Sequence, residues 1–414
     1  MLSERLREVV LDPRPVDALI TAAHPQVARI LERALGGDDL TCDDGLALLH
    51  ADGDDLRALV RAADVVRARL VGAEVTYVVN RNINFTNVCF VGCQFCAFAR
   101  HRKDEDARTD STEDVLAKVQ EAVDCGATEI CMQGGINPEM DAFGYRDLLL
   151  AIKARFPQIH IHAFSPMEIM YGTRRTGMSY GDYIQMLKDA GLDTIPGTAA
   201  EILDDDVREI LSHKKVDVRT WVDIITTAHR LGVPTTATIM YGHVEQPAHI
   251  VRHIDLIRSI QRDTGGFTEF VPLRFIHTHT VLYQKGLVEP PPVGLLDMRM
   301  YAVCRLMLQG TVANLQTSWV KLGTALAQLS LAAGCNDFGG TLMEEQISKS
   351  AGADAGEYLP VETIRALIAE IGRVPVERTT LYGRVSNDAR QGMHNGPGWR
   401  GGRGAPAAGA QLAQ

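Results

Sequence analysis

The sequence has no apolar run of the roughly 20 residues that a helix needs to cross a bilayer, so no membrane partner is expected. It also lacks positive charge: 42 Lys and Arg stand against 52 Asp and Glu, a formal net charge of −10. Binding to phosphate backbones needs basic surface, so nucleic acid is not expected as the main partner. The opening MLSERLREVVLDPRP has no signal-peptide apolar core, and the chain reads as cytoplasmic. Cysteine is scarce. Eight in 414 residues are too few for a disulfide-stapled scaffold. Five of them, Cys42, Cys125, Cys131, Cys304 and Cys335, are scattered among apolar or small residues and read as buried, inert thiols.

The other three are not scattered. NVCFVGCQFCAF, residues 87–98, sets Cys89, Cys93 and Cys96 in a C-x3-C-x2-C spacing. Four thiolates would close a tetrahedral zinc or iron–sulfur site, whereas three leave one position open. An open zinc site is one reading, but catalytic zinc usually also takes His or Glu, and the nearest histidine, His101, lies beyond the loop. A four-iron cubane fits better: three irons take a thiolate and the fourth stays free for a substrate or cofactor.

Residues 1–75 read as a helical segment. Their acidic clusters, Asp38-Asp39, Asp43-Asp44 and Asp52 with Asp54-Asp55, read as helix caps and solvated faces. From Thr76 the texture changes. Strands are expected at 76–85, 128–133, 159–164, 192–195, 234–242, 267–273, 311–319 and near 333–336, with amphipathic helices between. Ser111 and Asp114 have the spacing of a capping box at one helix start. Eight strands, each followed by a helix or long loop, predict an α/β fold, a (β/α)8 barrel over residues 76–384, with a doubly wound sheet as the alternative. Either fold puts chemistry at the carboxyl ends of strands. The cysteines follow the first strand there, Gln133-Gly134-Gly135 the second, Ser165 to Glu168 the third and Pro196 to Glu201 the fourth; Tyr241, Gly242 and His243 end the fifth. Residues 385–414, rich in Gly, Ala, Pro and Arg, are expected to be disordered.

The C-x3-C-x2-C loop resembles the signature of the radical S-adenosylmethionine (SAM) enzymes. The resemblance implies a 4Fe–4S cluster on Cys89, Cys93 and Cys96. It implies SAM chelated to the open iron through its amine and carboxylate, and cleavage to a 5′-deoxyadenosyl radical. It also implies that Phe95 packs near the adenine, that the turn Gln133-Gly134-Gly135 receives the SAM amine, and that Glu201 contacts a SAM hydroxyl or amine. A glycine there lets backbone approach a ligand closely.

Longer stretches narrow the resemblance. NRNINFTNVCFVGCQFCAF, MQGGINPEM, GLDTIPGTAAEILDD, LQTSWVKLG and NDFGGTLMEE, within about residues 78–382, resemble the family of deazaflavin synthase subunit 2. These are the 5-amino-6-(D-ribitylamino)uracil–L-tyrosine 4-hydroxyphenyl transferases. Radical SAM enzymes of the menaquinone futalosine pathway share the cluster motif and barrel and are the alternative. The family implies cleavage of L-tyrosine between Cα and Cβ. The 4-hydroxybenzyl fragment joins the ribityl-diaminouracil and 2-iminoacetate is released. It also implies a low-potential donor (ferredoxin or flavodoxin) and deazaflavin synthase subunit 1 as a partner.

Polar strand-end residues supply expected substrate contacts: Glu168, Tyr241, His243 and Glu269, with Gln316, Ser318, Asn336 and Asp337 behind them. Glu344 and Glu345 read as a helix start. His160 and His162 read as core or hydrogen-bonded histidines, with His162 nearer the strand end. His277 and His279 lie in a loop that could cover substrate. The chain departs from the family pattern at Arg274, at Thr280-Val281 and at Cys335, the first two near the expected substrate mouth.

Overall fold

The computed structural model describes residues 4–385. The expected disorder of the tail falls on residues outside that range, apart from Val385. Five helices, Glu4–Val10, Val16–Ala22, Pro25–Gly36, Cys42–Leu49 and Gly53–Val71, precede the first strand. The acidic clusters supply a helix cap and a surface ion pair. Asp44 closes a capping box with Thr41, and Asp39 pairs with Arg262 at 2.5 Å. Among the described residues no helix is long and apolar enough to cross a membrane.

The strands are β1 (Glu74–Val78), β2 (Asn80–Ile83), β3 (Glu129–Met132), β4 (His160–Ala163), β5 (Thr235–Tyr241), β6 (Phe267–Arg274), β7 (Asp337–Gly340) and β8 (Val374–Glu377). Every ladder is parallel: β1 with β7 and β8, β2 with β3, β3 with β4, and β5 with β6. Single parallel bridges fill the gaps, His162 to Thr194, Ile195 to Thr235, Phe270 to Leu315 and Gln316 to Asp337. The pairings therefore run in a cycle from β1 and β2 through β3, β4, residues 194–195, β5, β6, residues 315–316 and β7 back to β1.

The sequence expectation needs four corrections. The strand expected at 76–85 is broken at Val79 into β1 and β2. The strands expected at 192–195 and 311–319 shrink to single bridges. Pro196 follows the first of these and has no N–H to extend a ladder. In the second, the Leu315 N–H donates to the Asn336 side chain at 2.8 Å instead of to a neighbouring strand. The eighth strand of the cycle falls at Asp337–Gly340, just beyond 333–336. Finally, β8 was not expected. Its VPVE carries a proline and is short, but it pairs with four residues of β1.

Side chains alternate across these strands, as the strand period of two requires. One face of β2 and β3 turns Asn80, Asn82, Glu129 and Cys131 into a cavity, while Ile83, Ile130 and Met132 face the helices and are fully buried. On β5 the inward set is Thr236, Thr238 and Met240, and the outward set is Ala237, Ile239 and Tyr241. Helix stripes close over the outward faces. Val115, Leu116 and Val119 of the helix Thr112–Asp124 are buried, and its Ser111–Asp114 capping box is formed.

Candidate active site

The cavity has a volume of about 310 Å³ and is lined by the inward strand faces together with Phe95, Cys96 and Ala97 of the cysteine loop. The loop is stapled at its base. Cys89 N donates to Arg100 O at 2.9 Å and Arg100 N to Asn87 O at 2.8 Å. The Arg100 guanidinium gathers the carbonyls of Ala97 and Ala99 at 2.9 and 3.0 Å. A loop whose own backbone is satisfied in this way can hold three thiols in place without any ligand.

All three thiols are half-buried and free. Burial pushes the Cys89 thiol up and the Cys93 thiol to about 12, with the Lys215 ammonium opposing it at Cys93. Among the described residues, no three His, Cys, Asp or Glu side chains converge on one ion position. Ligands of a single zinc would all sit about 2.3 Å from one point. A cubane spreads its irons over separate corners, and a bound metal deprotonates its thiols outright. Three thiolates are the soft donors that an iron–sulfur cluster takes.

Gln133 lines the cavity, and its Oε1 accepts from the Thr198 hydroxyl at 3.1 Å. The two glycines serve packing. A Cβ on Gly134 would lie 2.7 Å from the Phe85 ring, and one on Gly135 would run into the Val88 carbonyl. The need for glycine is thus first to let this turn close against the cysteine loop. Gly135 N donates to Thr86 O at 2.8 Å.

Glu201 sits at the end of the fourth strand position with its backbone in the left-handed region, φ 41°. Its Oε1 accepts from Lys215 Nζ at 2.7 Å. Its Oε2 is buried without a hydrogen-bond partner; the nearest cation, Arg208, is 3.6 Å away and donates to the carbonyls of Ala199, Ala200 and Val216. Lys215 Nζ also stands 5.0 Å from the Phe95 ring centroid. A buried carboxylate oxygen needs a donor, and a SAM ammonium or ribose hydroxyl has one. The residues present therefore fit both cofactor groups.

Several expected contacts lie elsewhere. Glu168 is absent from the cavity wall. It closes a capping box on Ser165 and accepts from Gly134 N at 3.1 Å, because its helix begins immediately after β4 and turns its first carboxylate back on its own terminus. Burial raises it to about 7. Tyr241 points out of the strand ring, since it shares parity with Ile239 and not with Met240. Its hydroxyl donates to Asp297 at 2.8 Å. His243 has left the strand, and its ring is enclosed with Nε2 2.9 Å from Met240 O and Glu245 alongside.

Asn336 is taken by Arg305 at 2.6 Å, and Asp337 by Arg378, so neither lines the cavity. Gln316 and Ser318 do line it. Glu269 lines it as well, but its carboxylate already accepts from Arg378 at 3.2 Å, Gln316 at 3.1 Å and the Tyr382 hydroxyl. Burial lifts it to about 7 against the pull of Arg378.

The departure at Arg274 is a scaffold feature. Its guanidinium meets Asp297 at 2.8 and 2.9 Å and Pro292 O at 2.9 Å. Thr280 is a helix cap, and Cys335 is a buried thiol pushed up to about 12. His160 and His162 share the Thr194 hydroxyl at 2.8 and 2.7 Å, and only His162 reaches the cavity. His277 packs on the Tyr283 ring and His279 lies 3.1 Å from Ser350 O, both outside the cavity wall. Glu345 caps Ser348 N at 2.7 Å and also lines the cavity.

Sequence reasoning missed the alternating Asn80, Asn82 and Asn84, the thiol of Cys131, Lys321, and Arg378 with Thr380, all of which line the cavity. The period-two spacing of NRNIN was a usable signal for the asparagines. Nothing local marked the others.

A model of the radical SAM superfamily matches residues 83–257, and a model of the CofH/MqnC C-terminal region matches residues 264–390. A 5-amino-6-(D-ribitylamino)uracil–L-tyrosine 4-hydroxyphenyl transferase of Methanothermobacter thermautotrophicus is 48% identical, over 87% of this chain and 98% of its own length. FO synthases of Streptomyces avermitilis and Nocardia farcinica are 51% and 50% identical over 85% and 93% of this chain. The matched regions cover 41% and 44% of those proteins, so the chain spans less than half their length. Among solved structures, methylornithine synthase (PylB) aligns with a TM-score of 0.66 over 84% of this chain and 97% of its own, at 17% identity. The FeFe-hydrogenase maturase HydG from Carboxydothermus hydrogenoformans aligns at 0.68 over 92% and 87%, at 15% identity. These two likenesses show the shared fold.

Fold, site and matches together define an α/β enzyme of the radical SAM superfamily, whose cofactors are a 4Fe–4S cluster and SAM. Within it, the chain belongs to the family of the ribitylaminouracil–tyrosine hydroxyphenyl transferases and FO synthases.

Proposed function

We infer that this chain transfers a 4-hydroxybenzyl group from L-tyrosine to 5-amino-6-(D-ribitylamino)uracil, in deazaflavin coenzyme biosynthesis. The observation that carries the reading is the 48% identity over 98% of a relative named for that transfer. The cycle of strand pairings is read as a (β/α)8 radical SAM barrel over residues 76–384, preceded by the helical segment 1–75. Eight free cysteines suit a cytoplasmic enzyme.

Cys89, Cys93 and Cys96 would hold the cluster. Glu201, Gln133 and Phe95 would hold SAM, with the unpartnered Glu201 oxygen supporting that placement. When bound, the two cofactors supply an electron and a 5′-deoxyadenosyl radical. The chain's own residues do the rest. The cavity's apolar wall, with Phe95, Val271, Leu273, Phe275 and Val320, limits the water beside a radical. Its asparagines, Gln316 and Ser318 offer hydrogen bonds to a uracil edge and ribityl hydroxyls. Lys215 orients Glu201 through its ion pair. Overall, tyrosine gives up an N–H hydrogen atom and its Cα–Cβ bond breaks, the benzyl carbon joins C5 of the uracil, the adduct returns one electron and releases one proton, and 2-iminoacetate, methionine and 5′-deoxyadenosine leave. A ferredoxin or flavodoxin would supply the electron. Deazaflavin synthase subunit 1, or an equivalent domain, would cyclise the product.

The test is an anaerobic assay of reconstituted protein with SAM, L-tyrosine, the ribityl-diaminouracil and dithionite, read by mass spectrometry. The expected result is a hydroxybenzyl adduct of the uracil together with 5′-deoxyadenosine. Deoxyadenosine without the adduct would overturn the substrate assignment and direct the search to futalosine-pathway substrates.

A further inference from the structure

Three cationic side chains line the cavity: Arg274, Lys321 and Arg378. Two are committed. Arg274 is held by Asp297 at 2.8 Å, and Arg378 by Asp337 and Glu269. Lys321, in the four-residue helix Trp319–Leu322, forms neither an ion pair nor a side-chain hydrogen bond among the described residues. An ammonium away from bulk water with no counter-charge is costly.

Glu345 lines the same cavity from the segment after β7. Its Oε1 accepts from Ser348 N at 2.7 Å and its Oε2 from Asn82 Nδ2. Each carboxylate oxygen has a second lone pair. Lys321 and Glu345 line the same cavity, yet they form no ion pair. A fixed cation and a fixed anion that face one cavity without meeting leave room for a molecule with the opposite pair of charges.

We propose that Lys321 and Glu345 form a receptor for the zwitterion of the amino-acid substrate, with Lys321 on the α-carboxylate and Glu345 on the α-ammonium. The assignment rests on the reading that an α-amino acid is the substrate. SAM carries the same amino-acid group, so the test must separate the two ligands. The proposal assigns the pair to the substrate, because Glu201 with its open oxygen already stands on the cofactor side, against Phe95 of the cysteine loop.

The experiment is calorimetric titration of the cluster-loaded protein, anaerobic and without reductant, so no turnover is needed. The ligands are L-tyrosine, tyramine (no carboxylate), 3-(4-hydroxyphenyl)propionate (no ammonium) and SAM. The wild type should prefer L-tyrosine to both truncated ligands. Lys321→Met should weaken L-tyrosine roughly 10- to 100-fold, as expected for one charge-assisted hydrogen bond, and should erase its advantage over tyramine. Glu345→Gln should erase the advantage over the propionate. Lys321→Arg, which keeps the charge, should recover part of the loss and guards against a folding artefact. SAM affinity should stay within about twofold, a change near the scatter of a distant site. Unchanged tyrosine affinity in Lys321→Met, or a loss confined to SAM, would overturn the proposal while leaving the transferase reading intact. A wild type that binds SAM but no L-tyrosine would overturn that reading itself.

Discussion

The Glu168 carboxylate accepts the Gly134 amide at 3.1 Å, tying the start of the helix after β4 to the glycine turn after β3. Ser165 donates to the same carboxylate through its N–H at 2.6 Å and its hydroxyl at 2.7 Å. The sequence placed Glu168 among substrate contacts, and in the structure it is a strut beneath the glycine turn.

This strut should leave a mark on the pH dependence of stability. Burial raises Glu168 from the ordinary carboxylate range to about 7. The folded chain thus holds this proton more tightly than the unfolded chain does. The group's contribution is full below its unfolded value and is lost as pH rises through 7. Glu168→Gln cannot ionise, so the fall in urea midpoint between pH 5 and pH 8 should be smaller than in the wild type. Parallel slopes would show that another group is responsible.

Gly135→Ala tests the contact between the glycine turn and the cysteine loop. The added Cβ meets the Val88 carbonyl and comes within 3.0 Å of Cys89 Cβ. Overpacking of this kind costs about 1–3 kcal/mol, and the strain falls on the residue beside the first thiol. The variant should hold clearly less iron per chain after reconstitution while far-ultraviolet circular dichroism stays native. Full iron content would mean that the loop yields without disturbing its thiols.

Tyr241→Phe separates scaffold from chemistry. The lost hydroxyl donates to the fully buried Asp297, which Arg274 still holds. A hydrogen bond to a charged group is worth about 1.5–3 kcal/mol, and chemical denaturation should show a loss of that order. The rate of SAM cleavage should be unchanged. A large fall in rate with no change in stability would return Tyr241 to the active site.

Arg378→Leu removes the cation that enters the cavity floor after β8. Asp337, fully buried, and Glu269 would lose it together. Breaking a buried pair from one side costs about 3–5 kcal/mol, enough to unfold many proteins. Adding Asp337→Asn should recover part of that loss by removing the stranded charge. A double variant no more stable than the single one would show that Arg378 matters for packing alone.

What was legible in the sequence is what is decided within a few residues of chain. The cysteine loop is one such unit, because its three thiols, its glycine and its closing Arg100 lie within 14 residues of Asn87. Helix starts are another: the Ser111–Asp114 box formed where its three-residue spacing marks it, and Asp44, in an acidic cluster read as caps, closes a box with Thr41. The parallel α/β alternation was legible for the same reason, since strand and helix periods are local.

The facing of each strand residue was not legible at the strand ends. A shift of one position exchanges cavity for helix layer, and that shift separates Tyr241 from Met240. The floor of the cavity was hidden as well. β8 joins β1 from 300 residues away, and only that pairing brings Arg378 to Asp337. Asn82 meets Glu345 across 263 residues. The sequence by itself determined the cysteine loop and the class of chemistry, because cysteine spacing and helix caps are short-range. Only the tertiary structure decided which polar groups face the cavity and which spend their charge on the scaffold, because a cavity wall is assembled from residues that the chain keeps far apart.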